Sequence, residues 1–128
     1  MIDHLDHLVL TTTDEAACIH FYVQVLGMRL ETFGEGPKAF GFGAQKINLH
    51  IAGKEWEPKA EHPTPGALDV CFIAKLPLHE VQERLAAHGV PVECGPVLRT
   101  GAQGPIRSVY VRDPDLNLIE ISEQLPSA

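Results

Sequence analysis

Four side chains that bind metals well fall at matched places in the two halves of this chain. The halves open on Asp6-His7-Leu8-Val9-Leu10 and on Leu68-Asp69-Val70-Cys71-Phe72. They close on Lys46-Ile47-Asn48-Leu49-His50-Ile51 and on Asn117-Leu118-Ile119-Glu120-Ile121. His7, His50, Asp69 and Glu120 thus occupy paired positions on stretches otherwise filled with aliphatic residues. A hydrophobic strand needs no imidazole or carboxylate in order to fold, whereas a divalent metal takes ligands of these types. Alternation along a strand groups His7 with Val9, His50 with Asn48, and Glu120 with Leu118.

The elements that must carry these residues can be read from the same pattern. Residues 5–11 alternate and are rich in Leu, Val and Thr, so they form a strand. Thr13-Asp14-Glu15 starts a helix with a capping side chain and early negative charge. Cys18, Phe21, Tyr22, Val25 and Leu26 give that helix one apolar stripe, and Gly27 ends it. Strands are expected near 28–34, 38–43 and 46–52, punctuated by Gly34, Gly36-Pro37 and Gly43. A Pro-rich surface segment runs from Gly53 to Gly66. The order then repeats: a strand over 68–74, a helix opened by Pro77 with Leu78, Val81 and Leu85 as its stripe, then strands near 91–98, 106–112 and 116–122. Residues 99–105 read as a flexible Gly-rich loop able to close over a ligand or, equally, as a wide hairpin connection, and the tail after Gln124 reads as frayed. The expectation is an α+β domain spanning residues 1–128. It consists of two βαβββ modules, 4–53 and 66–124, whose sheets curve around a metal-binding cleft.

Composition narrows the function classes. A length of 128 residues suits one domain, and 45% apolar content suits a packed globule. The formal net charge of -7, with no dense Lys/Arg cluster, argues against nucleic-acid binding. No apolar run approaches a membrane span, and Met1-Ile2-Asp3-His4 does not resemble a signal peptide. Cys18, Cys71 and Cys94 lack CxxC spacing and read as reduced thiols of a cytoplasmic protein, with Cys18 and Cys71 as small buried hydrophobes.

At these residues the chain resembles the vicinal oxygen chelate superfamily, which holds glyoxalase I, extradiol dioxygenases and bleomycin-resistance proteins. The likeness rests on Asp6-His7-Leu8-Val9-Leu10, on Phe21-Tyr22-x-x-Val25-Leu26-Gly27-Met28, and on Asp113-Pro114-x-x-Asn117-Leu118-Ile119-Glu120. Three further strings are similar to the branch called glyoxalase domain-containing protein 5: Gln45-Lys46-Ile47-Asn48-Leu49-His50, Glu57-Pro58-Lys59-Ala60-x-His62-Pro63-x-Pro65-Gly66 and Arg99-Thr100-Gly101-Ala102-x-Gly104-Pro105-Ile106. The resemblance implies one divalent metal ion (Ni, Zn, Mn or Fe) in the cleft, chelated by a small oxygenated substrate. It implies His7 as the first-strand ligand and Glu120 as the last-strand carboxylate, with His50 at a position filled by Glu in bacterial glyoxalase I. Asp69 stands where metal-bearing relatives usually have His. The core ligand set is then His7, His50 and Glu120, and a homodimer is implied as well.

Two imidazoles and a carboxylate suit these transition metals rather than calcium. Glu120 is the candidate base for isomerising a hemithioacetal in a glyoxalase-like lyase reaction. The same set would serve a ring-cleaving dioxygenase, and a metal-free drug- or metabolite-binding protein would use it only for hydrogen bonds. Glu120 is also readable as an ion-pair partner of Arg107 or Arg112, since a buried carboxylate needs one. Arg99 and Arg107 flank the Gly-rich segment and read equally as a grip on a substrate carboxylate or as surface ion pairs in an acidic protein, and His62 is a candidate substrate contact that reads more readily as a plain surface histidine.

Overall fold

The computed structural model describes residues 1–127. The fold is α+β, and the chain divides into two compact units, Met1–Ala67 and a second beginning at Leu68. Each contains one four-stranded mixed sheet. The expected βαβββ order is present in both.

In the first unit the strands are β1 (His7–Thr12), β2 (Arg29–Thr32), β3 (Lys38–Phe42) and β4 (Gln45–Ile51). Their spatial order is β1-β4-β3-β2, with β1 and β4 parallel. Between β1 and β2 runs α1 (Glu15–Ile19), whose Asp14 side chain caps the Ala17 N–H. The helix does not stay α as the apolar spacing predicts. It widens into a π-helical stretch over His20–Val25, and Gly27 ends the segment with a φ of 79°. The predicted stripe is nevertheless mostly buried: Cys18, Phe21, Tyr22 and Val25 pack inward and Leu26 is half-buried. Tyr22 stacks on Phe40 of β3 at 5.1 Å between ring centroids. Leu10, Phe40, Ile47 and Leu49 complete this core, each large apolar side chain contributing roughly 1.5–3 kcal/mol by leaving water.

The second unit holds β5 (Asp69–Ile73), α2 (Leu78–Ala87), β6 (Cys94–Gly101), β7 (Gly104–Arg112) and β8 (Leu118–Gln124). The sheet order is β5-β8-β7-β6, with β5 and β8 parallel. Leu78, Val81 and Leu85 form the buried stripe of α2, as their spacing predicts. The Leu78 N–H at its start donates to Glu123 Oε1 on β8 at 2.5 Å. Ile119, Ile121, Val109 and Val111 supply the sheet side of this core.

The segment 99–105 is not a flexible loop. β6 runs on to Gly101 and pairs it directly with Gly104, leaving only Ala102 and Gln103 as the turn. Gly104 takes a φ of 116°, which lets the hairpin close so tightly. Just beyond Gln124, the Leu125 N–H is tied to the Pro105 carbonyl at 3.0 Å. Of the rest of the tail expected to fray, Pro126 and Ser127 form no helix or strand, and Ala128 lies outside the described residues. Among the described residues no helix is long and apolar enough to cross a membrane.

Candidate metal centre

Each sheet has one face against its helix and a second face turned away from it. In the first unit Leu10, Ile47 and Leu49 belong to the helix face. Alternation therefore puts His7, Val9 and Thr11 of β1 on the second face with Lys46, Asn48 and His50 of β4. That face is exposed at its His7 end, where Val9 is 45% exposed, and closes toward Thr11 and His50. In the second unit the corresponding face carries Asp69, Cys71, Leu118, Glu120, Ser108 and Tyr110.

The strand registers correct the pairing of ligands read from the sequence. Asp69, first in β5, lies opposite Leu118, so Glu120 is its diagonal neighbour on one face. His7, first in β1, lies opposite Lys46, so its diagonal neighbour is Asn48. The counterpart of Glu120 is thus Asn48, and His50 corresponds to Ser122. His50 instead pairs with Thr11, four residues along from His7. That separation is about 13 Å at ~3.3 Å per residue, too far for two parallel imidazoles to share an ion with bonds of about 2 Å. His7 and His50 of one chain therefore do not form a joint ligand pair.

Hydrogen bonding separates the two imidazoles further. His7 Nδ1 lies 2.8 Å from Asp6 Oδ1. The His7 N–H holds the Asp6 carboxyl below the usual carboxylate range. This carboxylate–imidazole pair leaves the His7 Nε2 lone pair available, as in most metal-binding histidines. His50 has no such support: its Nδ1 is buried without any hydrogen-bond partner. By this test His7 fits a metal and His50 does not.

Glu120 is held by an alcohol rather than by a cation. Ser108 Oγ–H donates to Glu120 Oε2 at 2.6 Å, and Ser108 Oγ is 2.6 Å from Ser122 Oγ. Cys71 Sγ extends the row, 3.3 Å from Ser122 Oγ. Arg112 is committed elsewhere, making a two-pronged bond to Glu93 at 3.1 and 3.0 Å. Arg107 pairs with Leu98 and Glu123, which places it on the opposite face from Glu120. Neither arginine is the partner that the sequence suggested for Glu120. Nor can Arg99 and Arg107 grip one substrate group together. Arg99 does share the Glu120 face, and its Nε donates to Tyr110 Oη at 3.1 Å. That bond raises the Arg99 pKa further above its ordinary value.

Cys71 was expected as a buried hydrophobe and is exposed, directly opposite Glu120 on β8. Partial burial, ahead of the neighbouring Glu120 charge, pushes its thiol up, so it remains a thiol. His62 is exposed in the connecting segment, its carbonyl accepting from the Thr64 N–H at 2.8 Å. Among the described residues no three His, Cys, Asp or Glu side chains are grouped so as to hold an ion. Sequence reasoning missed Ser108 and the pairing role of Asn48. Asp6 was visible in the opening motif, and its position beside His7 was the available signal.

The description Glyoxalase/Bleomycin resistance protein/Dioxygenase superfamily fits residues 4–121 of the chain. Virulence protein STM3117 of Salmonella typhimurium is 53% identical over 123 residues, covering 96% of this chain and 85% of that protein. Its crystal structure superposes with a TM-score of 0.95, covering 98% of this chain and 99% of that one. Glyoxalase domain-containing protein RDO1 of Mycosarcoma maydis is 56% identical over 118 residues; they make up 92% of this chain but 66% of that protein. A crystal structure of lactoylglutathione lyase from Agrobacterium tumefaciens is 25% identical, with a TM-score of 0.72 over 96% of this chain and 95% of that one.

Proposed function

Since the chain belongs to the glyoxalase/bleomycin resistance/dioxygenase superfamily, we propose that it is a divalent-metal-dependent enzyme with glyoxalase-like lyase or isomerase chemistry. Its substrate is a small molecule with adjacent oxygens able to chelate the ion. The observation that carries this reading is the Asp6–His7 pair, which readies one imidazole nitrogen for a metal. Glu120 supplies the carboxylate, and Asp69, its diagonal neighbour, is the further candidate ligand. A metal so bound would act as a Lewis acid on a carbonyl oxygen. The similarity to lactoylglutathione lyase supports the choice of lyase chemistry within the superfamily.

The residues have distinct tasks in this reading. Ser108 fixes Glu120 through Oε2 and leaves Oε1 to take or return a proton beside the substrate carbonyl. Arg99, steadied by Tyr110, offers N–H donors on the same face to an anionic substrate group. Asp6 sets the orientation of His7. The working form is a homodimer of the 14.0 kDa chain in the cytoplasm, where its three free thiols stay reduced. The test is turnover of a 2-oxoaldehyde hemithioacetal by chelator-stripped and metal-refilled protein. Turnover that appears only on refilling, and vanishes in Glu120→Gln, is the expected result. Equal turnover in the stripped protein or in Glu120→Gln refutes the reading.

A further inference from the structure

His50 Nδ1 is the one side-chain nitrogen or oxygen among the described residues that is sealed from solvent without a hydrogen-bond partner. The residue is 8% exposed and sits two positions beyond Asn48 on the second face of the first sheet. A neutral imidazole has one N–H and one lone pair. A sealed N–H with nothing to accept it is the costlier and rarer arrangement, so the proton belongs on Nε2. The ring then presents a donor, not a metal-binding lone pair.

We propose that His50 is a specificity-determining residue whose Nε2–H donates to a carbonyl or carboxylate oxygen of the bound small molecule. The inference rests on the small-molecule reading above and adds a requirement to it: the substrate end that meets His50 must accept a hydrogen bond. A 2-oxo acid or 2-oxoaldehyde has that character. The sealed Nδ1 keeps the ring in one tautomer, so the donor is in place before the ligand arrives.

Pyruvate is the probe, because its adjoining carbonyl and carboxylate oxygens accept hydrogen bonds and donate none. Nitrogen NMR of the full chain with labelled imidazoles is expected to show His50 protonated at Nε2 and bare at Nδ1. Added pyruvate is expected to shift the Nε2 signal. By calorimetry on manganese-loaded protein, His50→Gln, which keeps an N–H near Nε2, should bind pyruvate within about twofold of the parent. His50→Phe should lose about tenfold, the worth of one hydrogen bond. His50→Asn, whose amide reaches only the Nδ1 position, should lose as much and serves if the Phe variant does not fold. A proton on Nδ1, an Nε2 signal indifferent to pyruvate, or unchanged affinity in His50→Phe or His50→Asn overturns the proposal. Metal content measured on the same samples distinguishes the two failures. If metal is retained while pyruvate ignores residue 50, this inference falls and the metal-centred reading stands; absence of metal from the parent protein refutes that reading.

Discussion

Two histidines of the same type, on the same sheet face, have been given different chemistry by their neighbours. His7 has a carboxylate on Nδ1; His50 has nothing there. Removing that carboxylate with Asp6→Asn should weaken metal binding by about 10–100-fold, the usual effect of losing a ligand's supporting partner. Calorimetric titration with manganese checks this. The depressed Asp6 pKa gives the sign of its pH dependence. The Asp6–His7 contact is fully present above the ordinary aspartate range and is lost as pH falls through the depressed value. Metal retention should therefore fall on acidification, never rise. On β7, Ser108→Ala removes a buried hydroxyl that donates to Glu120 and accepts from Ser122. We expect a loss of about 1–3 kcal/mol in urea unfolding.

At the scale of elements, what holds the candidate ligands in register is a turn and a close strand contact. Asp113 Oδ1 accepts from the Asp115 and Asn117 N–H groups, each at 2.9 Å. Asn117 donates to Asp113 Oδ2 and accepts from the Leu68 N–H, both at 2.8 Å. This network fixes the start of β5, hence Asp69, against β8, hence Glu120. Asn117→Ala removes two of these bonds, those to the Leu68 N–H and to Asp113 Oδ2, and should cost about 2–3 kcal/mol by thermal or urea unfolding. Gly95 matters for a different reason. It has a φ of 104°, and a Cβ there would lie 2.4 Å from the Ser108 carbonyl oxygen. Backbone cannot give way as a side-chain tip can, so Gly95→Ala should destabilise by more than about 2 kcal/mol. It should also disturb the Ser108 support of Glu120, visible as altered Ser108 and Glu120 NMR signals.

Across the whole molecule, the order of elements was legible and the register was not. Alternating aliphatics announced most of the strands, and the 3.6-residue stripes announced both helices, because burial dictates those patterns directly. Alternation also grouped His7 with Val9, His50 with Asn48 and Glu120 with Leu118, as the paired strands have them. It has a period of two, however, so sliding a pairing by two residues leaves every face unchanged. Nothing in the sequence of β1 and β4 could therefore choose between Asn48 and His50 as the counterpart of Glu120. The 99–105 segment misled for a related reason. Gly101, Gly104 and Pro105 are breakers in isolation, yet here they build the ends of two paired strands and a minimal turn. The π-helical stretch left no trace, since Cys18, Phe21, Tyr22 and Val25 satisfy an ordinary helical stripe.

The central proposal is that His7 and Glu120, each on its own unit, are metal ligands and that His50 is not one. Elemental analysis of the purified chain and its His7→Ala, Glu120→Gln and His50→Phe variants, each equilibrated with manganese and desalted, tests this most directly. One ion per chain in the parent and in His50→Phe, and little in the other two, is the result this account predicts. Full occupancy in Glu120→Gln, or metal lost only when residue 50 is changed, would contradict it.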